Sequence, residues 1–177
     1  MKTLTISDAT SADAEAIAAI FAHYVLESTA TFETVPPDEP EIARRIAAVT
    51  GDGYPFVVSR DEEDGQILGF AFGTRYAPRV GYRYAVETTI YVRPDCVRHG
   101  IGSALLDALI ESCEARGLRQ AFAIIAESEP ASVILHARHG FRPVGTLEGA
   151  GWKHGKWLDV FIMQRALGAG KDTLPED

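Results

Sequence analysis

The 177-residue sequence predicts an α/β fold in which a mixed β-sheet carries helices on both faces. Three observations lead there. Apolar residues recur with helical spacing in four segments and with strand-like patterning in seven, in the order β-α-α-β-β-β-α-β-α-β-β. Hairpin-length connections supply antiparallel pairs, which makes the sheet mixed. The most regular strand runs through a glycine-bearing loop into the most regular amphipathic helix. With 46% hydrophobic and 24% charged residues the composition is that of a globular chain. The expected organisation is one domain over residues 1–167 and a polar tail over 168–177.

The first strand is expected at Thr3–Ile6. Ser11 caps a helix that places Ile17, Ile20, Phe21, Tyr24 and Val25 on one face. Pro36, Pro37 and Pro40 precede a second helix with Ile42, Ile46 and Val49 along one side, ended by Gly51. Tyr54–Ser59 and Gln66–Tyr76 form a hairpin through the solvated acidic turn Asp61–Gly65. An irregular loop over 77–81 leads to a strand at Tyr82–Val92. Alternation there puts Arg83, Ala85, Glu87, Thr89 and Tyr91 on one side, opposite Val86, Thr88, Ile90 and Val92. After the loop 93–102 a helix runs through Leu106, Leu109, Ile110 and Cys113 and closes at Gly117. A buried strand at Ala121–Ala126, a short helix at Ala131–His139 and strands at Phe141–Thr146 and Trp157–Arg165 complete the pattern.

Several function classes are excluded. A net charge of −8 argues against a general binder of nucleic acid or anionic membrane. No apolar run approaches the roughly 18 residues of a membrane span. Met1–Asp8 lacks the apolar stretch of a secretory signal, so a cytoplasmic protein is expected. Cys96 and Cys113 form neither a disulfide framework nor a zinc pattern. His136 and His139 lack an HExxH context or an acidic third ligand, so no metal is expected.

The informative segment is Val97-Arg98-His99-Gly100-Ile101-Gly102-Ser103. A dinucleotide fingerprint would need glycine at 105, which is Leu105. A Walker loop ending at Gly155-Lys156 would need glycine at 150 and Ser or Thr at 157, where Ala150 and Trp157 stand. What remains is either a tight turn or a helix N-terminus whose free N–H groups and dipole suit a pyrophosphate, with Arg98 adding positive charge.

Strand, Arg-x-Gly-x-Gly and long helix together resemble the acetyl-CoA-binding motif of the GNAT N-acetyltransferases, and the resemblance runs from the first strand to Arg165. Within that superfamily the chain is similar to the phosphinothricin and methionine-sulfoximine N-acetyltransferases. The narrower likeness rests on Tyr82-Arg83, Val86–Val92, Ser132 through Gly140-Phe141, and Gly151–Val160. It implies the acyl-CoA N-acyltransferase fold, acetyl-CoA as cofactor, a small-molecule amine as partner and a homodimer. The cofactor residues implied are Ile90, Tyr91 and Val92, the loop Arg98, His99, Gly100, Ile101, Gly102 and Ser103, then Glu129 and Arg138. Glu129 stands where the family often carries an asparagine on the pantetheine arm.

Direct acetyl transfer needs a base for the amine, a donor for the tetrahedral oxyanion and a proton for the departing thiolate. Glu87 is the sole acid in an uncharged stretch and fits the base, the role the family gives this position; the other reading is a structural charge paired with Arg83 or another basic neighbour. A strand N–H among Ile90–Val92 suits the oxyanion. His136 stands where many relatives place a thiolate-protonating tyrosine, or is an ordinary helix-face histidine. Arg79, Tyr82 and Arg83 could gather an acidic group of the substrate, with Thr88 and Thr89 beside Glu87, or the arginines could be solvated loop residues. Trp152, Lys153, His154 and Trp157 form an aromatic-basic hairpin, which the resemblance places at the rim of the site near a dimer interface. The expected activity is acetylation of a small amino-acid-like acid in a ternary complex. The rivals are acetylation of a protein N-terminus or polyamine, and a CoA-sensing domain without turnover.

Overall fold

A computed structural model describes residues 3–175; expectations touching residues 1, 2, 176 and 177 lie outside them. The elements follow the expected order: β1 (Leu4–Asp8), α1 (Ala14–Glu27), α2 (Glu39–Gly51), β2 (Phe56–Asp61), β3 (Ile67–Arg75), β4 (Ala85–Val92), α3 (Ile101–Ala115), β5 (Gln120–Ala126), α4 (Pro130–Arg138), β6 (Arg142–Lys153) and β7 (Lys156–Ala166). The strands make one sheet in the order β1-β2-β3-β4-β5-β7-β6. Only β4 and β5 pair in parallel, as their crossover through α3 requires. The other neighbours are antiparallel.

Helix periodicity decides which side chains enter the core. On one face of the sheet α3 buries Leu105, Leu106 and Leu109 completely, against Leu68, Ala71, Val86, Ala121 and Ala123. Each such leucine contributes about 1.5–3 kcal/mol of apolar burial. Val133 and Leu135 of α4 pack on the same core. On the other face α1 and α2 set Ile17, Phe21, Val25, Ile42 and Ile46 against Phe56, Val58, Phe70 and Tyr91. The sheet therefore has helices on both sides, as the patterning predicts.

Several local expectations change. Thr10 rather than Ser11 opens the first helical segment, its backbone N–H donating to the Asp13 carboxylate at 2.8 Å ahead of a 3-10 turn at Ser11–Asp13. Asp38 caps α2 by accepting from the Glu41 N–H at 2.9 Å, and Pro40 sits in the first turn, where no N–H is needed. Asp61 of the acidic hairpin is buried and accepts from the Glu63 N–H at 3.0 Å; Glu62, Glu63 and Asp64 are solvated. The strand expected from Tyr82 begins only at Ala85, because Val80–Tyr82 forms a 3-10 turn. β6 continues to Lys153, well beyond Thr146. The tail is tied back through Arg119, which donates to the Thr173 hydroxyl and the Leu174 carbonyl.

Candidate active site

The sheet comes apart at its middle. β3 and β4 pair along their whole length, from Gly69↔Val92 to Arg75↔Val86, whereas β4 and β5 pair only from Ala85↔Gln120 to Thr88↔Ala123. Beyond that rung β5 stays with β7 as far as Ala126↔Val160, so the ends of β4 and β5 diverge. The Thr88 hydroxyl donates to the Phe122 carbonyl at 3.1 Å and marks the fork. Pleat alternation fixes which backbone groups face the opening. The Ala85 carbonyl and the Arg93 N–H both bond to β3 or its end, so odd-numbered groups point that way and those of Ile90 and Val92 point into the gap. The Tyr24 hydroxyl reaches across from α1 to donate to the Val92 carbonyl at 2.5 Å.

The loop ahead of α3 closes the lower end of this gap. Gly100 caps the helix with φ of +83°, a left-handed conformation that costs a residue with a Cβ about 1–2 kcal/mol. Arg98 adopts φ of +66° without that freedom. The first helical bond of this cap is Ala104 N–H to the Gly100 carbonyl at 3.1 Å, which leaves the N–H groups of 101–103 for another acceptor. Gly102 is held in ordinary helical geometry. A Cβ there would meet Leu135 Cδ2 at 3.3 Å and Val92 Cγ2 at 3.7 Å, filling the cradle between the loop and the fork.

Fork and loop open into one cavity of about 1130 Å³. It brings together most of the residues the sequence singled out: Glu87, Thr88, Thr89, Ile90, Tyr91, Val92, Arg98, Gly100, Gly102, Ser103, Glu129, His136 and Arg138. Ile101 sends its side chain into the core, 1% exposed, leaving only its backbone for the loop. His99 is exposed, with Nδ1 3.3 Å from the Cys96 carbonyl, and does not line the cavity.

Glu87 lies on the α1–α2 side of β4, between Thr74 of β3 and Phe122 of β5 in register. Tyr76 stacks on Phe122 at 4.2 Å and Tyr82 meets Tyr76 edge-on at 5.7 Å, an aromatic wall on that side. Burial alone raises the Glu87 carboxyl above its usual range, and no ion pair with Arg83 forms. Since Arg83 precedes the strand in a helical turn, alternation does not carry it to the Glu87 side; its guanidinium lies 4.5 Å above the Tyr84 ring. Arg79, Tyr82 and Arg83 are thus not brought to the cavity wall.

His136 is 2% exposed, with its ring edge-on to Phe141. Nδ1 stands 2.8 Å from the Ser132 carbonyl and must carry the proton there, while Nε2 is buried with no partner among the described residues. Burial lowers its pKa, so at neutral pH the ring is uncharged with a lone pair on Nε2. In that tautomer Nε2 can accept a proton, and the thiolate-acid role expected of His136 needs that proton to be taken up first.

The far wall was not foreseen. Tyr24, Phe32, Glu33, Arg45 and Phe72 also line the cavity. Arg45 forms two bonds with Glu33, at 2.8 and 3.1 Å, and a third with Glu41 at 2.9 Å. The segment 28–33 that carries Phe32 is fastened from below. Lys153, 3% exposed, donates to the Thr31 carbonyl at 2.7 Å and the Tyr24 carbonyl at 3.3 Å, and burial pushes its amine pKa down. Thr29 bonds Ser128, and Ser28 donates to Glu129 at 3.2 Å. The neighbours of Lys153 behave differently: Trp152 and Trp157 pair across the β6–β7 hairpin at 5.0 Å and stay largely exposed.

Residues 6–162 match the model of an acetyltransferase (GNAT) domain. The chain belongs to the GNAT acetyltransferases. A phosphinothricin N-acetyltransferase of Alcaligenes faecalis is 46% identical over 165 residues, 93% of this chain and 83% of that protein. An L-methionine sulfoximine/L-methionine sulfone acetyltransferase of Pseudomonas paraeruginosa is 38% identical over 92% of this chain and 94% of its own. Among solved structures, a GNAT phosphinothricin acetyltransferase from Sinorhizobium meliloti in complex with acetyl-CoA superimposes with a TM-score of 0.95 at 43% identity, covering 99% and 94% of the two chains. This GNAT protein is accordingly an acetyl-CoA-dependent N-acetyltransferase. The bare cradle at Gly102 and the free N–H groups above it fit that co-substrate.

Proposed function

We propose that the enzyme acetylates the primary amine of a small amino-acid-like acid of the phosphinothricin or methionine-sulfoximine kind, by direct attack in a ternary complex. The observation that carries this reading is Glu87: a dehydrated carboxylate without a counter-ion among the described residues, in the same cavity as the strand fork and the α3 N-terminus. Acetyl-CoA supplies an activated thioester carbonyl. The N–H groups of residues 101–103, with Arg98 and Arg138, hold its diphosphate. Ile90 and Val92 bond the pantetheine arm as an added strand would, beside Glu129, and one of their N–H groups faces the developing oxyanion.

Glu87 accepts a proton from the ammonium, which frees the amine lone pair for attack. As the carbon–sulfur bond breaks, the same carboxyl, its affinity for protons raised by burial, returns that proton to the departing sulfur, and the second proton on the attacking nitrogen is released to solvent as the amide forms. His136 keeps its Nε2 lone pair toward this chemistry as a second acceptor. Thr89 shares the Glu87 side of β4, while the Thr88 hydroxyl is engaged at the fork. Of the described arginines on the wall, Arg98 and Arg138 belong to the diphosphate, which leaves Arg45 for the acid group of the acceptor; the acid would exchange with Glu33. We further propose a cytoplasmic homodimer joined through the β6–β7 hairpin, where Trp152 and Trp157 are 55% and 66% exposed. Among the described residues no helix is long and apolar enough to cross a membrane.

A thiol-release assay over an amine panel tests the substrate class. Phosphinothricin and methionine sulfoximine should outcompete spermidine and a peptide N-terminus. Preference for spermidine would install the polyamine rival, and binding without thiol release the sensor. Light scattering on Trp157→Glu tests the dimer.

A further inference from the structure

His139 follows α4 and is joined to the diphosphate loop by a short chain of hydrogen bonds. Its side chain is 9% exposed. Nδ1 lies 2.8 Å from the Leu135 carbonyl, so it carries a proton in every state. Nε2 faces two oxygens at once, Ser103 Oγ at 2.9 Å and Asp107 Oδ1 at 3.3 Å. Ser103 occupies the first turn of α3 and lines the cavity, and its own N–H is one of those left free for an anion.

We propose that His139 is a positioning residue for the cofactor, setting through Ser103 whether the diphosphate site presents a hydrogen-bond donor or a lone pair. With His139 neutral, Nε2 is an acceptor and takes the Ser103 hydrogen. The serine then offers only lone pairs to the phosphate oxygens. With a proton on Nε2, the imidazolium donates to Ser103 Oγ and Asp107, and the hydroxyl hydrogen turns to the phosphate. No covalent bond changes; one proton taken from solvent redirects one O–H. Binding of the diphosphate would therefore draw a proton onto His139, and by linkage affinity falls as pH rises.

The surroundings of the ring fit this role. Asp107 reaches the ring from α3, one turn beyond Ser103. Arg165 of β7 donates to the His139 carbonyl at 2.6 Å and is itself 3.7 Å from Glu114 of α3. Arg138 and Arg142 border the same cleft from α4 and β6. His136, one turn earlier, is held neutral by burial and does not titrate in step.

The inference rests on the placement of the diphosphate at the α3 N-terminus. The probe is acetyl-dephospho-CoA, which keeps the diphosphate but lacks the 3′-phosphate that would itself titrate. Calorimetry in two buffers of different ionisation heat counts the protons taken up on binding. The wild type should take up a fraction of one proton at pH 7, and Kd should tighten about three- to tenfold between pH 8 and pH 6, within the tenfold per pH unit that one linked proton permits. His139→Leu should abolish the uptake and flatten the profile. Ser103→Ala, which spares the histidine, should reduce both. Uptake in His139→Leu equal to wild type, or none in the wild type, would overturn the proposal while leaving the cofactor site intact. Failure of the wild type to bind the probe while binding the amine would instead refute the diphosphate placement, and the proposal with it.

Discussion

Replacing Glu87 by glutamine separates catalysis from folding, because the two roles predict stability changes of opposite sign. The side chains are nearly isosteric and the site is half-buried, so Glu87→Gln removes charge and proton acceptance without opening a cavity. Loss of a general base lowers turnover by about 10²–10⁴-fold, equivalent to roughly 3–5 kcal/mol of barrier. Stability should move the other way. A carboxyl whose folded pKa is raised contributes stability that is complete below its unfolded pKa and is lost as pH rises through the folded value. Once ionised, the dehydrated group is therefore a burden on the fold, and the glutamine variant should melt at the same temperature or higher. The acid limb of kcat/KM should lie above the usual glutamate range and vanish in the variant. Thiol release against pH, with scanning calorimetry at pH 7 and pH 4, measures both. An unchanged turnover, or a variant that melts several degrees lower at pH 7, would make Glu87 a structural charge.

Gly102→Val should abolish acetyl-CoA binding with little loss of melting temperature, since the added atoms fill the cradle and meet only the ends of Leu135 and Val92; calorimetric titration checks this, and unchanged affinity would move the diphosphate elsewhere. Arg45→Met should raise KM for amino acids bearing a second acid group by about tenfold or more, on the scale of a charge-assisted bond, while a neutral amine of equal size is little affected. Equal losses would confine Arg45 to holding Glu33. Lys153→Met leaves the Thr31 and Tyr24 carbonyls without a donor, at about 1–3 kcal/mol. The acceptor KM should rise with the Kd of acetyl-CoA unchanged, and a cofactor defect of equal size would mean the lysine supports the whole cavity.

Elements with a strong period were legible in the sequence. The leucine stripe of α3 and the glycine loop before it depend on neighbours three or four residues away. The start of β4 was not legible in the same way. Tyr82, Arg83 and Tyr84 alternate like a strand, and only the turn over Val80–Tyr82 shows that the pairing with β3 has not yet begun. The acceptor wall was hidden for a deeper reason. Phe32 and Glu33 lie in a segment with no periodicity, and what fixes that segment is Lys153, whose bond to Thr31 spans 122 positions. An isolated lysine between tryptophan and histidine reads as solvated, and nothing local announces that the hairpin turns it inward. His136 shows the same limit: its place in the motif was visible, while the burial that sets its tautomer was not.

The fork between β4 and β5 has a consequence for the life of the protein without its co-substrate. Four rungs join the β1–β4 half of the sheet to the β5–β7–β6 half, so the polar edges opened beyond Thr88 and Ala123 lie at the centre of the molecule, where other proteins keep their slowest-exchanging amides. An open strand edge is a template for pairing with another chain. A ligand that hydrogen-bonds along it shields it and adds RT ln(1 + [L]/Kd) to the stability. Amide hydrogens of Ile90 and Val92 should exchange readily in the ligand-free protein and slowly in the complex. The supply of acetyl-CoA would then govern how long each molecule resists aggregation and proteolysis, as well as how fast it turns over.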